Sequence, residues 1–155
     1  MDQNDFIQQT IQLALDNVQN GGGPFGALIV KEGRVIATGV NQVTVGLDPT
    51  AHAEIVAIRK ACQALQHFEL TGCEIYCSCE PCPMCLGAIY WARPELVFFA
   101  APGTAAADAG FDDTLIKQQI CLPYQSQQLR ISQLHHDQAL APFRAWKAKP
   151  DKIAY

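Results

Sequence analysis

The sequence lacks the features that mark a membrane or secreted protein. Its apolar runs, such as residues 27–30 and 96–101, are short, whereas a transmembrane helix needs roughly 18 apolar residues. The N-terminal MDQNDF has neither a basic segment nor an apolar stretch, so it does not resemble a secretory signal. We therefore expect a cytoplasmic protein without a membrane partner.

The sequence also lacks an excess of basic residues. It contains 11 Lys and Arg against 15 Asp and Glu, a net charge of −4. A general nucleic-acid binder needs clustered Lys and Arg, because phosphate contacts dominate its affinity. The one basic cluster, at Lys147, Lys149 and Lys152, is typical of a solvated tail. The charge balance therefore favours a small neutral ligand over a nucleic acid.

The sequence also lacks the even number of cysteines that is typical of a disulfide framework. The chain has seven, an odd number that argues against a disulfide framework and for thiols used in metal binding or packing. At 155 residues, with 49% hydrophobic and 17% charged residues, the chain suits one globular domain and is too short for two. We expect a single domain over residues 1–155.

The order of periodic segments and turn residues predicts an α/β fold. Helical spacing or helix-starting residues occur at 5–20, 50–66, 81–93, 111–120 and 137–148. Strand patterns, the first two joined by a turn at Glu32 and Gly33, occur within 26–40 and at 74–79, 95–101 and 128–134. Residues 41–50 and 102–110 are predicted loops. The alternation predicts a three-layer α/β/α sandwich with a mixed five-stranded central sheet, in which the uniformly apolar strand 95–101 is buried on both faces.

Cys82 and Cys85 form a C-x-x-C motif at the start of a predicted helix. A spacing of three places both sulfurs on one helix face, and the helix N-terminus favours thiolates. Alone, the motif is equally compatible with a redox pair, half of a structural zinc site or two packed thiols.

His52 adds a third potential ligand, because a neutral imidazole nitrogen binds zinc well. Three protein ligands leave one tetrahedral position open to water, which distinguishes a catalytic zinc from a structural one. Zinc lowers the pKa of such a water to near 7. We expect His52, Cys82 and Cys85 to hold one Zn²⁺.

Glu54 lies two residues after His52, about 200° around a helix. The two side chains therefore cannot share one helix face, but both can flank a site beyond the helix N-terminus. Thr50 is the predicted N-cap of this helix. A capping box with Thr50 would require Glu at position 53, so that structural role does not explain Glu54. A carboxylate beside a zinc site is suited to moving protons, and we expect Glu54 to be catalytic.

HAE at 52–54 and PCPMC at 81–85 match the H-x-E and P-C-x-x-C pattern of zinc nucleobase deaminases. With these motifs the chain resembles the cytidine deaminase-like superfamily. GGPFGA at 22–27, YWARP at 90–94, AGFDD at 109–113 and the terminal Tyr155 narrow the resemblance to the small bacterial guanine deaminases. The resemblance implies zinc-dependent hydrolytic deamination of guanine to xanthine and ammonia.

The resemblance also implies a set of substrate contacts. Asn41 would hydrogen-bond the purine, Phe25 and Trp91 would flank its plane, and the backbone at Ala53 would add a polar contact. Asp113 would contact the leaving amine and share in proton transfer. From the residues alone, Asp112 and Asp113 are equally able to cap the helix after GF, and Phe25 and Trp91 could be core aromatics.

The resemblance further implies a homodimer with exchanged C-terminal segments, in which Tyr155 closes the partner's site. Two other functions stay open: a tRNA adenosine or other nucleobase deaminase, and a non-catalytic zinc module with Cys77 or Cys79 as fourth ligand. For the deaminase itself we exclude Cys77 and Cys79 as ligands, because buried thiols on strands usually pack as small hydrophobes.

Overall fold

The computed structural model describes residues 2–155, which form two compact units that divide after Asp113. The helices of the first unit are α1 (Gln3–Gln19), α2 (Val43–Gly46), α3 (Ala53–Leu65), α4 (Pro83–Ala92) and α5 (Gly103–Asp108). Its strands are β1 (Gly26–Lys31), β2 (Arg34–Val40), β3 (Cys73–Cys79) and β4 (Leu96–Ala101). The second unit contains α6 (Thr114–Ile120), a 3-10 helix (Tyr124–Ser126) and α7 (Ala141–Ala148).

The strands of the first unit form one mixed sheet in the order β2-β1-β3-β4. β1 is antiparallel to β2 and β3, whereas β3 and β4 are parallel and joined through α4. The mixed sheet is confirmed, but the fifth strand predicted at 128–134 is wrong, because these residues form neither helix nor strand. Alternating Leu129, Ile131 and Leu134 gave a strand-like pattern, but a strand also requires a hydrogen-bonding neighbour.

Each face of the sheet has its own core. Ala27 and Ile29 of β1 pack on the side of α3 and α4, whereas Leu28 and Val30 pack with Phe6 on the side of α1. This alternation follows from the two-residue side-chain period of a strand. The first unit therefore has helices on both faces of its sheet, as the sequence predicts.

β4 contradicts the prediction of a strand buried on both faces. Its side chains are largely exposed, with Leu96 at 48% and Phe99 at 49% of full exposure. The physical reason is position: β4 is the edge of the sheet and pairs on one side only, with β3. An apolar sequence therefore does not by itself show that a strand is buried.

Two predicted loops contain short helices. α2 lies within 41–50, and α5 lies within the alanine-rich stretch 102–110. Three successive alanines have the highest helix propensity, which accounts for α5. Among the described residues, no helix combines the length and the apolar character that crossing a membrane requires.

Candidate active site

The start of α3 brings His52 and Glu54 to the site. Thr50, predicted as the helix N-cap, instead bonds Asp48 Oδ1 through both its backbone nitrogen (2.8 Å) and its Oγ1 (2.6 Å). This turn leaves His52 as the N-cap residue, with an extended backbone and no capping bond from its side chain. The imidazole is therefore available for another role.

The first turn of α3 also sits unusually close to the sheet. A Cβ atom placed on Gly39 of β2 would lie 2.0 Å from the carbonyl oxygen of Ala53. Only glycine allows this approach, because a backbone atom at that distance cannot move aside as a side chain can. Gly39 therefore fixes the position from which α3 presents His52 and Glu54.

His52, Cys82 and Cys85 converge on one point between α3 and α4. His52 Nδ1 lies 3.5 Å from Cys82 Sγ and 3.4 Å from Cys85 Sγ, and the three ligand atoms lie within 4.8 Å of one another. Zn–S bonds of about 2.3 Å and Zn–N bonds of about 2.0 Å in a tetrahedron require a sulfur-to-nitrogen distance of about 3.5 Å. The donor set and its spacing therefore fit zinc.

The ligand cluster carries a negative charge that favours a bound cation. Cys82, the N-cap residue of α4, has a pKa lowered to about 4, first by a hydrogen bond from Cys85 and next by the bond with His52. The same contact with Cys82 raises the pKa of His52. Cys85 is buried and holds its proton toward the Cys82 sulfur, so its own pKa is raised. Without metal, one thiolate therefore already exists at neutral pH.

Glu54 is the buried carboxyl next to this cluster, only 8% exposed. Burial raises its pKa, and the negative charge of Cys82 raises it further. A raised pKa makes a carboxyl better able to hold a proton and to return it. The site therefore combines a zinc-compatible ligand set with a group suited to proton transfer.

A cavity of about 340 Å³ opens directly onto His52. The residues around it come from the glycine-rich loop, the end of β2, α2 and the loops before α3 and after α5; they are Gly21, Gly22, Gly23, Asn41, Val43, Thr44, Pro49, His52 and Phe111. Asn41 is buried, and its Oδ1 accepts a hydrogen bond from the Val43 backbone nitrogen at 3.2 Å. The structure thus brings Asn41 and His52 to one cavity.

Phe111 is a lining residue that the sequence analysis did not select. Its ring meets Phe25 edge to face, with ring centroids 5.0 Å apart. In the sequence, Phe111 lies within AGFDD, directly before Asp112 and Asp113. Phe25 therefore lies beside the cavity, one ring behind Phe111.

The other predicted site residues are placed differently. Ala53 is buried in the first turn of α3, and Asp113 is half-buried, whereas Asp112 is exposed. The charge of Asp113 contributes to raising the pKa of Cys79, which places this carboxyl near the end of β3. Trp91 is exposed near the end of α4 and is not among the lining residues of this cavity.

The remaining candidates are not members of the ligand cluster. Tyr155 is exposed at the end of the second unit. Cys77 and Cys79 are buried on β3, and burial raises the pKa of both. Within residues 2–155, the ligand cluster of His52, Cys82 and Cys85 includes no fourth His, Cys, Asp or Glu.

The chain is similar in sequence and in structure to known proteins. Residues 1–101 match the family described as the cytidine and deoxycytidylate deaminase zinc-binding region. The chain is 51% identical over 156 aligned residues to a guanine deaminase of Bacillus subtilis, with all of both chains covered. The crystal structure of guanine deaminase from that species superposes with a TM-score of 0.98, covering 100% of this chain and 99% of that one.

More distant relatives share only part of the chain. A structure of guanine deaminase from Nitrosomonas europaea is 32% identical, with a TM-score of 0.70, and the match covers 73% of this chain and 66% of that one. A tRNA-specific adenosine deaminase of Aquifex aeolicus is 44% identical over 96 residues, which is 62% of this chain and 64% of that protein. The similarity to the tRNA enzyme thus extends over less of the chain.

Proposed function

Because the chain belongs to the family of the cytidine and deoxycytidylate deaminase zinc-binding region, we propose that it hydrolyses guanine to xanthine and ammonia. The observation that carries the proposal is the buried Glu54 carboxyl beside three ligand atoms with zinc-compatible spacing. The 51% identity to a guanine deaminase along the whole chain supports guanine as the base.

One Zn²⁺ per subunit is the cofactor, held by His52, Cys82 and Cys85. When bound, zinc supplies a Lewis-acid centre that makes water nucleophilic near neutral pH. The reaction consumes one water: its oxygen forms a bond to C2 of guanine, the bond from C2 to the exocyclic nitrogen breaks, and that nitrogen leaves as ammonia.

Glu54 moves the protons. Its carboxylate takes a proton from the attacking water, passes it to the neighbouring ring nitrogen, and then delivers a proton to the leaving amine. Its burial supports this role, because burial raises the pKa of the carboxyl and so makes it a better proton acceptor. Asp113 assists by contacting the amine that leaves.

The purine is held by Asn41, Phe25, Ala53, Trp91 and Tyr155. Asn41 is the best supported of these, because it is buried in the cavity wall and Val43 fixes its Oδ1. Among the described residues its Nδ2 group has no acceptor, so it can donate to a ring nitrogen or oxygen of guanine.

The Phe25 and Phe111 pair supports stacking of a purine plane against an aromatic wall. The Ala53 backbone provides a polar group beside the metal ligands. Trp91 and Tyr155 contact the base in our proposal as members of the assembled dimer described next.

We propose a homodimer with exchanged C-terminal segments. The apolar surface of β4, with Leu96 and Phe99 exposed, is unusual for an isolated soluble chain. Leu129, Leu134 and Phe143 of the second unit are exposed as well. Exchange would cover both surfaces, and the mass of the particle in solution, measured by light scattering, distinguishes a dimer of about 34 kDa from the 16.9 kDa chain.

A reducing compartment suits the protein. All seven cysteines are free thiols, and such thiols persist in the cytosol, where disulfides are rare. We therefore propose the cytoplasm as its location.

The deciding experiment measures ammonia release from guanine, cytosine and adenosine in tRNA, with and without a zinc chelator. We expect chelator-sensitive release from guanine, restored when zinc is added back. Protein that binds equimolar zinc but releases no ammonia from guanine would refute the proposal. Preferential release from adenosine in tRNA would assign the chain to the tRNA enzymes instead.

A further inference from the structure

Asn17 links the two segments that form one wall of the cavity. Its Nδ2 group donates to the carbonyl oxygen of Gly23 at 2.8 Å and to that of Asn41 at 2.9 Å. An amide group has two N–H donors, and here both are directed to carbonyls from separate parts of the chain. We propose that Asn17 is a positioning residue that fixes Asn41 for purine binding, an inference that rests on the proposed guanine deamination.

The glycine-rich loop is wrapped around Asn17. Besides the side-chain bonds, the Asn17 carbonyl accepts from the Gly22 backbone nitrogen at 2.8 Å. A Cβ atom on Gly22 would lie 2.4 Å from Asn17 Nδ2, and one on Gly23 would lie 3.0 Å from Asn41 Cγ. The loop therefore packs directly between Asn17 and the Asn41 side chain.

Asn41 is held on its other sides by independent bonds. Its backbone nitrogen donates to the Phe25 carbonyl at 3.2 Å, and its Oδ1 accepts from Val43 at 3.2 Å. The bond from Asn17 Nδ2 to the Asn41 carbonyl oxygen adds a third restraint on the residue. Asn17 itself does not line the cavity, so it acts on substrate through Asn41 and the loop.

Asn17 lies on a different element from the residues assigned to zinc binding and proton transfer. It lies on α1, whereas His52 and Glu54 belong to the start of α3, and Cys82 precedes α4. Loss of the Asn17 amide should therefore weaken the hold on guanine while zinc and proton transfer persist. A contact used equally in the ground state and the transition state changes KM and leaves kcat little altered.

The test is a double-mutant cycle of Asn17→Ser and Asn41→Ala in the zinc-loaded protein. We expect Asn17→Ser to raise KM for guanine about tenfold with kcat within about threefold, the split expected for lost substrate binding. In the Asn41→Ala background the same change should alter KM by less than about twofold, because groups acting through one another are not additive. Gln12→Ser, at an exposed position on the same helix, should leave both constants unchanged.

Three outcomes would overturn the inference: an unchanged KM in Asn17→Ser, a fall in kcat alone, or equal effects of Asn17→Ser with and without Asn41. If Asn17→Ser fails to fold, Asn17→Asp keeps the side-chain size while removing both donors, and the same cycle applies. Wild-type protein that releases no ammonia from guanine would instead refute the proposed function, and this inference with it.

Discussion

At the scale of single residues, Glu54 provides the sharpest test of the chemistry. Glu54→Gln keeps the shape of the side chain but cannot carry a proton. General acid–base catalysis contributes roughly 10²- to 10⁴-fold, so we expect ammonia release from guanine to fall by about that factor. Zinc content should stay near one ion per subunit, because Glu54 is not in the ligand cluster.

The matched control for this variant is Glu95→Gln, which makes the same chemical change at an exposed position directly before β4. It should retain wild-type activity and zinc. Full activity in Glu54→Gln would remove Glu54 from the mechanism, whereas loss of zinc in that variant would make Glu54 a determinant of the metal site.

Cys82 should be the most reactive thiol of the metal-free protein at mildly acidic pH. Its pKa of about 4 means that the thiolate predominates above pH 4 and persists at pH 6, where thiols with raised pKa values stay protonated. Iodoacetamide at pH 6, followed by peptide mass spectrometry, should therefore label Cys82 before Cys85 and Cys77. Added zinc should protect Cys82, and equal labelling of all three would contradict the prediction.

The residues of the site differ in how far the sequence could identify them. His52, Glu54, Cys82 and Cys85 fall in two short motifs that together match the H-x-E and P-C-x-x-C pattern of zinc nucleobase deaminases. Phe111 lies in AGFDD, but that motif assigns it no role, because an aromatic side chain serves a core as readily as a cavity. Only its packing on Phe25 beside the cavity distinguishes the two roles.

At the scale of secondary-structure elements, the close contact between β2 and α3 controls the site. Gly39→Ala places a Cβ atom 2.0 Å from the Ala53 carbonyl oxygen, so α3 must shift. Overpacking of this kind typically costs about 1–3 kcal/mol of unfolding free energy. Since the shift occurs in the turn that carries His52 and Glu54, we expect activity to fall more than stability alone explains.

Gly87 supplies the matched control for this substitution. It lies within α4, and a Cβ atom there would meet nothing within 4 Å. Gly87→Ala should therefore raise the unfolding free energy by roughly 0.5–1 kcal/mol, since alanine favours the helix. Denaturant titration of both variants checks the contrast, and equal effects would refute the close-contact explanation.

The secondary-structure elements could be predicted where the local sequence pattern determines them. They could not be predicted where pairing with another strand decides the outcome. The helix at 5–20 and the hairpin with its turn at Glu32 and Gly33 follow from periodicity and turn chemistry, and the structure contains both. Residues 128–134 have a strand pattern but form no ladder, and 95–101 have a buried composition at an exposed edge. Both errors concern segments whose state depends on what pairs with them.

At the scale of the whole molecule, residues 128–134 and 95–101 share one property: both leave apolar side chains exposed in a single chain. The proposed exchange would cover this surface. Tyr155 offers a direct test, because exchange would supply it to the site of the other subunit. Deleting Tyr155 should lower activity on guanine. Unchanged activity would eliminate the proposed role of Tyr155 in closing the site.

Mixed dimers then establish which subunit provides Tyr155. One subunit carries Glu54→Gln with an intact C-terminus, and the other lacks Tyr155 but has an intact site. With exchange, one site of each mixed dimer has both groups, so random pairing should restore about a quarter of wild-type activity. Without exchange no complete site forms. Mixed dimers isolated through two affinity tags but no more active than either parent would therefore show that each site uses the C-terminus of its own chain.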